Sequence, residues 1–287
     1  MLLSDSVQNE PPENASVAFL GPLGTFTHAA VDQHFGADVD KHSLSTINDV
    51  FLQVESGAAR YGVVPVENST EGAVNNTQDC LIDTSAQIVA EVVIPIAQNF
   101  MLQAGSNLEH ITRIVSHRQS LAQCRRWLSE HCPNTPIEEV SSNAEAARLA
   151  AEDPHTAAIA GERAAQLYGL ELRYKAIQDQ QSNCTRFLVL ANETVAPTGH
   201  DKSSILVYTA NKPGALFRIL EPFNTYQVSL TKIETRPAPD SVWAYVFFID
   251  FEGHVQDRSV QQVLEQLKER TVKIKQLGSY PMAQVPA

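Results

Sequence analysis

From Ser16 to Asn192, short apolar runs alternate with helical stretches, and that alternation limits the fold more than any other feature of the chain. "SVAFL" reads as a strand and "GTFTHAAVDQHF" as the helix that follows it. "YGVVPV" is a strand leading into helical "EGAVNNTQDCLIDT", and "ITRIVSH" leads into helical "SLAQCRRWLSEHC". "PIEEV" and "TAAIAG" are further strands, each with a helical pattern behind it. Such alternation predicts an α/β fold with a largely parallel sheet. One long β-like segment, "QIVAEVVIPIAQNFMLQA", interrupts it and reads as a crossover between two lobes. "QSNCTRFLVLAN" then reads as a strand returning to the first lobe.

After "ETVAPTGHDKSS", a polar stretch with Pro and Gly that reads as a linker, the rhythm changes. "SILVYTA", "PGALFRILEPFNTY", "VSLTKIETR", "VWAYVFFIDF", "DRSVQQVLEQLKER" and "VKIKQLGSYP" spell βαββαβ, the ferredoxin-like plan. The expected division is a polar leader over 1–15, a first domain over 16–193, a linker over 194–202 and a second domain over 203–282. A length of 287 residues with 43% hydrophobic content is enough for two cores. The net charge of −12 argues against a nucleic-acid partner. It also means that an anionic ligand needs local donors against the overall field. No apolar stretch is long and clean enough to span a membrane, and the leader lacks the basic and apolar regions of a secretory signal. The four cysteines are scattered and the nine histidines show no ligand spacing, so neither a metal nor a disulfide framework is expected. A reducing cytoplasm is the expected compartment.

Polar residues cluster where strands end, which is where open α/β sheets bind ligands. "FLGPLGTFTHAA" places Gly24 and Thr25 at a helix start that can hold an anion, or that is simply a capped turn. "VVPVENSTEGAV" places Glu67, Asn68, Ser69 and Thr70 just past a strand, more polar groups than helix capping alone requires. "IVSHRQSLAQC" contributes Ser116, His117 and, within the following helix, Gln123, while Ser141 to Asn143 read as helix caps. "NCTRF" contributes Thr185 and Arg186, with Cys184 beside them but no spacing that supports a Cys–His pair. The set amounts to uncharged donors with a few cations and no cofactor signature. It suits a small polyanion and a reaction needing only proton transfer and charge stabilisation.

Taken in order, "GPLGTFTHAA", "VVPVENSTEGAV", "SHRQSLAQC", "AAIAGERAAQLYGL" and "NCTRF" resemble the prephenate dehydratase family, and "NKPGALF" and "KIETRP" resemble the two motifs of its ACT domain. The resemblance covers nearly all of the chain after the first fifteen residues. It implies a two-lobe catalytic domain of periplasmic-binding-protein type followed by the ferredoxin-like ACT domain. The implied activity is that of a carbon–oxygen lyase, in which prephenate loses CO2 and water to give phenylpyruvate on the route to phenylalanine. Thr185 matches the family's essential threonine, and Asn68, Ser116 and Gln123 its other catalytic polar positions. Glu67, Ser69, Thr70, His117, Arg186, Gly24 and Thr25 are the expected substrate contacts, with Arg186 either on the pyruvyl end or acting as structural support.

Three positions depart from the family pattern: Leu23 in the first motif, Arg118 after Ser-His, and Cys184 before Thr185. No cofactor is implied. The expected effector is L-phenylalanine, held by Asn211, Gly214, Ala215 and Leu216 with Glu234, Thr235, Arg236 and Pro237 at an interface between ACT domains. That arrangement implies a homodimer or homotetramer. The leader is too short for the chorismate mutase domain of bifunctional relatives, so that activity is not expected. Two other readings stay open on sequence: arogenate dehydratase, which runs the same chemistry on the aminated substrate, and a non-catalytic two-lobe sensor.

Overall fold

Residues 15–210, 212–238 and 245–284 are described in a computed structural model of the chain. The first lobe is built on a sheet in the order Asp40–Leu44, Ser16–Leu20, Tyr61–Asn68, Cys184–Ala191, Gln87–Pro95. The first three strands run parallel, and Cys184–Ala191 runs antiparallel between Tyr61–Asn68 and Gln87–Pro95. The second lobe carries the order Leu170–Tyr174, Asn99–Gln103, Thr156–Ala160, Arg113–His117, Ile137–Val140. Two lobes joined by crossovers match the sequence expectation, but each sheet mixes parallel and antiparallel pairs rather than being largely parallel. The long apolar segment divides into one strand for each lobe, and Cys184–Ala191 returns to the first.

The two crossings are tied to each other. Ile96 N–H donates to Asn183 C=O and Ile177 N–H to Gln98 C=O, both at 2.8 Å. The lobes therefore meet along a hydrogen-bonded hinge.

Some elements lie outside the sequence reading. "DKHSL" forms the edge strand Asp40–Leu44, whose residues are exposed or half-buried, so it lacks the apolar run that marks a buried strand. The helix Ile47–Glu55, capped by Thr46, follows it. The single helix expected over "SLAQCRRWLSEHC" breaks at Cys124 into Arg118–Gln123 and Arg125–His131.

The C-terminal domain is a four-stranded antiparallel sheet in the order Leu230–Pro237, Tyr245–Glu252, Asp201–Thr209, Lys273–Pro281. With the helices Ala215–Thr225 and Arg258–Arg270 this is the ferredoxin-like plan. Its first strand starts at Asp201, inside the stretch expected to be linker. Ser203 and Ser204 are buried there and bond to Ser279 and Asp250, so polar residues that look like linker are core hydroxyls with partners.

One face of this sheet packs on its helices. The other shares a continuous apolar core with the first lobe, where Leu206, Phe248, Leu277 and Tyr280 meet Val66, Ile88, Leu188 and Leu190. Gly278 permits that approach, because a Cβ there would lie 2.2 Å from the Ile88 carbonyl oxygen. This apolar interface also encloses buried ion pairs, and through it the C-terminal sheet packs on the back of the first lobe.

Candidate active site

A cleft lies between the lobes, with a cavity of about 300 Å³, the lower end of the range for small-molecule sites. The first lobe lines it with Gly24, Thr25, Phe26, Asn68, Thr185 and Phe187. The second contributes His117, Gln119, Ser120, Gln123, Asn143 and Gly161, and Ile96 and Gln98 line it from the hinge. Among the described residues no Lys, Arg, Asp or Glu lines this cavity.

Attraction for an anion comes instead from backbone. The helices Phe26–Phe35 and Asn143–Glu152 both begin at the wall, so their first-turn N–H groups and positive dipole ends face the space. Gly24 and Thr25 lie on the wall with their polar groups already engaged. Gly24 N–H donates to His28 Nδ1 at 3.0 Å, and the Thr25 hydroxyl donates to Pro22 C=O while accepting from His28 N–H. They shape the helix entry, and the amides just inside it are left for a ligand. Gly24 has φ of +86°, and a Cβ there would press on Leu167 and Ala164 of the opposite lobe.

Thr185 and Asn68 face each other across neighbouring strands. The Asn68 carbonyl oxygen accepts from the backbone N–H groups of Thr70 and Glu71 and from the Thr70 hydroxyl. That fixes the amide's orientation and turns its NH2 group toward Thr185 Oγ1 and Asn183 Oδ1, each at 2.8 Å. The threonine oxygen is therefore an acceptor from Asn68. Among the described residues nothing takes its proton.

The second lobe repeats this logic with Asn143, which the sequence reading treated as part of a cap. Asn143 Oδ1 accepts from the Ser120 hydroxyl at 2.9 Å and from His117 N–H at 3.3 Å. Its NH2 group is the end left for a ligand. His117 Nδ1 accepts from Gln119 N–H, which puts the proton of the neutral ring on Nε2.

Gln123 Oε1 accepts from Gln98 Nε2 at 3.2 Å, and Gln123 Nε2 donates across the cleft to Glu71 Oε1 at 3.3 Å. Gln98 is 2% exposed, and its own Oε1 has no partner among the described residues. An unpartnered buried acceptor on a cavity wall is costly unless a ligand supplies a donor. Its only sequence signal was a polar residue interrupting an apolar run.

Several expected contacts lie elsewhere. Arg186 is not on the cleft. The strand pleat sends it to the opposite face from Thr185, where it is buried against Glu67 (2.8 Å), Glu91 (3.0 Å) and Asp250 (2.5 Å). Burial works against its charge, but these carboxylates outweigh burial and raise its pKa further. Burial alone would raise the Asp250 carboxyl, yet Arg186 holds it below the usual carboxylate range.

Glu67 likewise leaves the cleft for this ion cluster. Ser69 instead accepts from Cys184 N–H at 2.9 Å, and Thr70 serves Asn68. Ser116 is wholly buried behind the wall, donating to Ile159 C=O at 2.6 Å beside Asn143, so it supports the wall rather than forming it.

In the C-terminal domain a cavity of about 280 Å³ is lined by Thr209, Ala210, Lys212, Gly214, Ala215, Leu216, Phe217, Tyr245 and Phe247. Gly214, Ala215 and Leu216 are thus on one pocket, whereas Asn211 lies outside the described residues. Glu234, Thr235, Arg236 and Pro237 form a strand next to Tyr245 and Phe247 but do not line the pocket. Arg236 reaches the first domain instead, donating to Asp79 at 2.5 Å.

Comparison with known proteins adds family evidence to this geometry. Residues 17–195 match the model of the prephenate dehydratase family and residues 203–269 that of the ACT domain. A bifunctional chorismate mutase/prephenate dehydratase of Stutzerimonas stutzeri is 49% identical over 267 residues, covering 93% of this chain and 73% of that protein. A prephenate dehydratase of Arthrobacter aurescens, solved in complex with L-Phe, superposes with a TM-score of 0.86 at 35% identity over 93% of this chain and 90% of that one. A solved quorum quenching acylase, GqqA, superposes at 0.85 with 27% identity over 93% and 98% of the two chains.

Proposed function

The chain belongs to the prephenate dehydratase family and carries an ACT domain behind its catalytic region, and from that premise we propose how the cleft converts prephenate to phenylpyruvate, carbon dioxide and water. The bond from the ring to its carboxylate breaks and the electron pair enters the ring. The ring then expels the hydroxyl opposite and becomes aromatic. Aromatisation drives the reaction, and the obstacle is that hydroxide leaves poorly. A donor on the departing oxygen completes a water molecule and lowers the barrier by about 3–5 kcal/mol, on a general-acid scale of about 10²–10⁴-fold.

The observation that carries this reading is the state of Thr185. Its oxygen accepts from Asn68 at 2.8 Å on the cavity wall, which leaves its O–H to be directed at a ligand. The Asn68 amide also stabilises negative charge that builds on Oγ1 as the proton moves, and solvent returns a proton to Oγ1 once the products leave. Helix N-termini, rather than a side-chain cation, attract the substrate's carboxylates. The ring carboxylate is therefore held without an ion pair that would have to break as it leaves as neutral CO2. Phe26, Phe187 and Ile96 provide an apolar wall for the ring.

The carboxylate that reaches across the cleft, Glu71, is engaged by Gln123 and is not on the cavity wall. That favours the keto side chain of prephenate over the ammonium of arogenate, which would need an anionic partner. Acyl hydrolysis of the kind named for the quorum quenching acylase needs a base to take the nucleophile's proton. The group on Thr185 is instead an amide donor.

The C-terminal pocket supports phenylalanine as effector. Its wall is largely apolar, it suits an aromatic side chain, and the Arthrobacter aurescens relative was solved with L-Phe. Phe217 at its rim is 67% exposed, and Leu216, Ile233 and Tyr245 are also exposed. A cluster of large exposed apolar side chains suits a second copy of the domain, hence a homodimer or homotetramer. Among the described residues no helix is long and apolar enough to cross a membrane. We assign the enzyme to the cytoplasm, with amino-acid biosynthesis.

Incubation of the purified chain with prephenate and, separately, arogenate tests the assignment. Phenylpyruvate should form from the first substantially faster than phenylalanine from the second. Turnover of neither would overturn it.

A further inference from the structure

Thr185 and Arg186 are consecutive in one strand, and so are Glu67 and Asn68 in its neighbour. The register pairs Thr185 with Asn68 and Arg186 with Glu67. Because side chains alternate across a sheet, one pair forms the hydrogen bond on the cleft face and the other an ion contact on the back. The Arg186 Nε to Glu67 Oε1 contact of 2.8 Å is an ion pair off hydrogen-bond alignment.

The back-face pair belongs to a closed set. Glu91 takes Arg186 at 3.0 Å and Lys202 at 2.7 Å, Asp250 takes Arg186 at 2.5 Å, and Glu67 takes Lys232 at 2.5 Å. Three cations balance three carboxylates. Lys202, Lys232 and Asp250 come from three different strands of the C-terminal sheet, Asp201–Thr209, Leu230–Pro237 and Tyr245–Glu252. The side chains of Arg186, Glu91, Asp250 and Lys202 are each 10% exposed or less. Buried ions cannot exchange partners for water without a large loss, so a shift of this sheet has to be followed by the charges it holds. Glu67 and Arg186 sit next to a register irregularity between Arg186 and Phe187, a place where a strand pair can move locally without sliding along its length.

We propose that Glu67, Arg186 and Lys232 are positioning residues for the Thr185–Asn68 hydrogen bond, and that this ion cluster carries the effector state of the C-terminal sheet to the catalytic hydroxyl. The second half rests on reading that domain as a phenylalanine sensor. The effector pocket and the cluster share strands: Tyr245 and Phe247 line the pocket on the strand that bears Asp250, and Thr209 lines it on the strand that bears Lys202. Lys232 is paired across from Asp250 in the sheet, and its charge bears on Glu67, one residue from Asn68.

The test is Lys232→Met in the full chain, with Lys232→Arg as the conservative control. Turnover of prephenate, phenylalanine inhibition and phenylalanine binding by calorimetry are each measured. Lys232→Met should lower kcat several-fold with KM nearly unchanged. It should bind phenylalanine as the unaltered chain does, and should lose about 5-fold or more of the inhibitory coupling. Lys232→Arg should restore both kcat and inhibition.

Unchanged kcat and inhibition in Lys232→Met would overturn the proposal, and so would loss of phenylalanine binding itself, which would put Lys232 in the effector site. If Lys232→Met is unfolded at the assay temperature, Glu67→Gln keeps the shape, removes the charge and is read in the same way. The unaltered chain serves as the separate control. Failure to turn over prephenate or to bind phenylalanine there would contradict the functional reading, independently of any variant.

Discussion

Asn68 donates to Thr185 Oγ1 at 2.8 Å and cannot turn around to accept from it, because two backbone N–H groups hold its carbonyl oxygen. The direction of this one bond decides what the threonine does. A hydroxyl that accepts from its neighbour keeps its proton for the ligand, whereas a hydroxyl that donates to its neighbour has none to offer.

Asn68→Asp tests that direction. The carboxylate would still accept from Thr70 and Glu71, so the turn should persist, but it would draw the Thr185 proton to itself. We expect kcat to fall by about 10²-fold or more with an unchanged melting profile, since a general-acid contribution is typically about 10²–10⁴-fold. Activity near that of the unaltered chain would mean that the proton comes from elsewhere.

The second prediction concerns pH. His28 is buried beneath the cleft-lining loop and accepts from Gly24 N–H. Its pKa lies below the ordinary 6.5, chiefly because burial disfavours the charged ring; Asp32 opposes the shift, and Arg163 and Lys41 add to it. The unfolded chain takes up a proton as pH falls through 6.5, while the folded chain resists until lower pH. His28 therefore contributes its full stability above that point and loses it progressively below. Between pH 8 and pH 5 the melting temperature of the unaltered chain should drop more than that of His28→Gln. Parallel curves would contradict the assignment.

Glu91 is the most enclosed member of the ion cluster, with a side chain 1% exposed, and holds both Arg186 and Lys202. Glu91→Ala leaves two buried cations short of a partner and should destabilise the fold by about 3–5 kcal/mol. Chemical denaturation measures this. A loss below about 1 kcal/mol, the scale of exposed pairs, would mean that water reaches the cluster.

Much of this arrangement was legible in the chain. Alternating strands and helices pointed to an α/β fold, the long apolar segment to a crossover between two lobes, and a change of rhythm near residue 200 to the ferredoxin-like domain. Thr185 and Asn68 stood out because polar groups at strand ends are where such sheets bind ligands. Of the two roles open for Arg186, the pyruvyl end and structural support, its place in the ion cluster fits the second, and the pleat already argued for it. Two consecutive strand residues face opposite ways, so a cleft that takes Thr185 excludes its neighbour. Glu67 beside Asn68 follows the same rule.

Asn143 and Gln98 were less accessible to sequence reasoning. Asn143 sits where a helix cap is the ordinary expectation, and its role depends on which end of its amide Ser120 and His117 engage. Gln98 acquires meaning only where the chain crosses between lobes. The edge strand Asp40–Leu44 carries no buried run, and local pattern has little to register there.

The most direct measurement of the central claim compares Thr185→Val with Thr185→Ser in single-turnover formation of phenylpyruvate from prephenate. Valine keeps the shape and removes the donor, so its rate should fall by about 10²–10⁴-fold, while serine, which restores a hydroxyl, should stay within about ten-fold of the unaltered chain. A Thr185→Val chain that is folded and turns over prephenate within a few-fold of the unaltered rate would contradict the account.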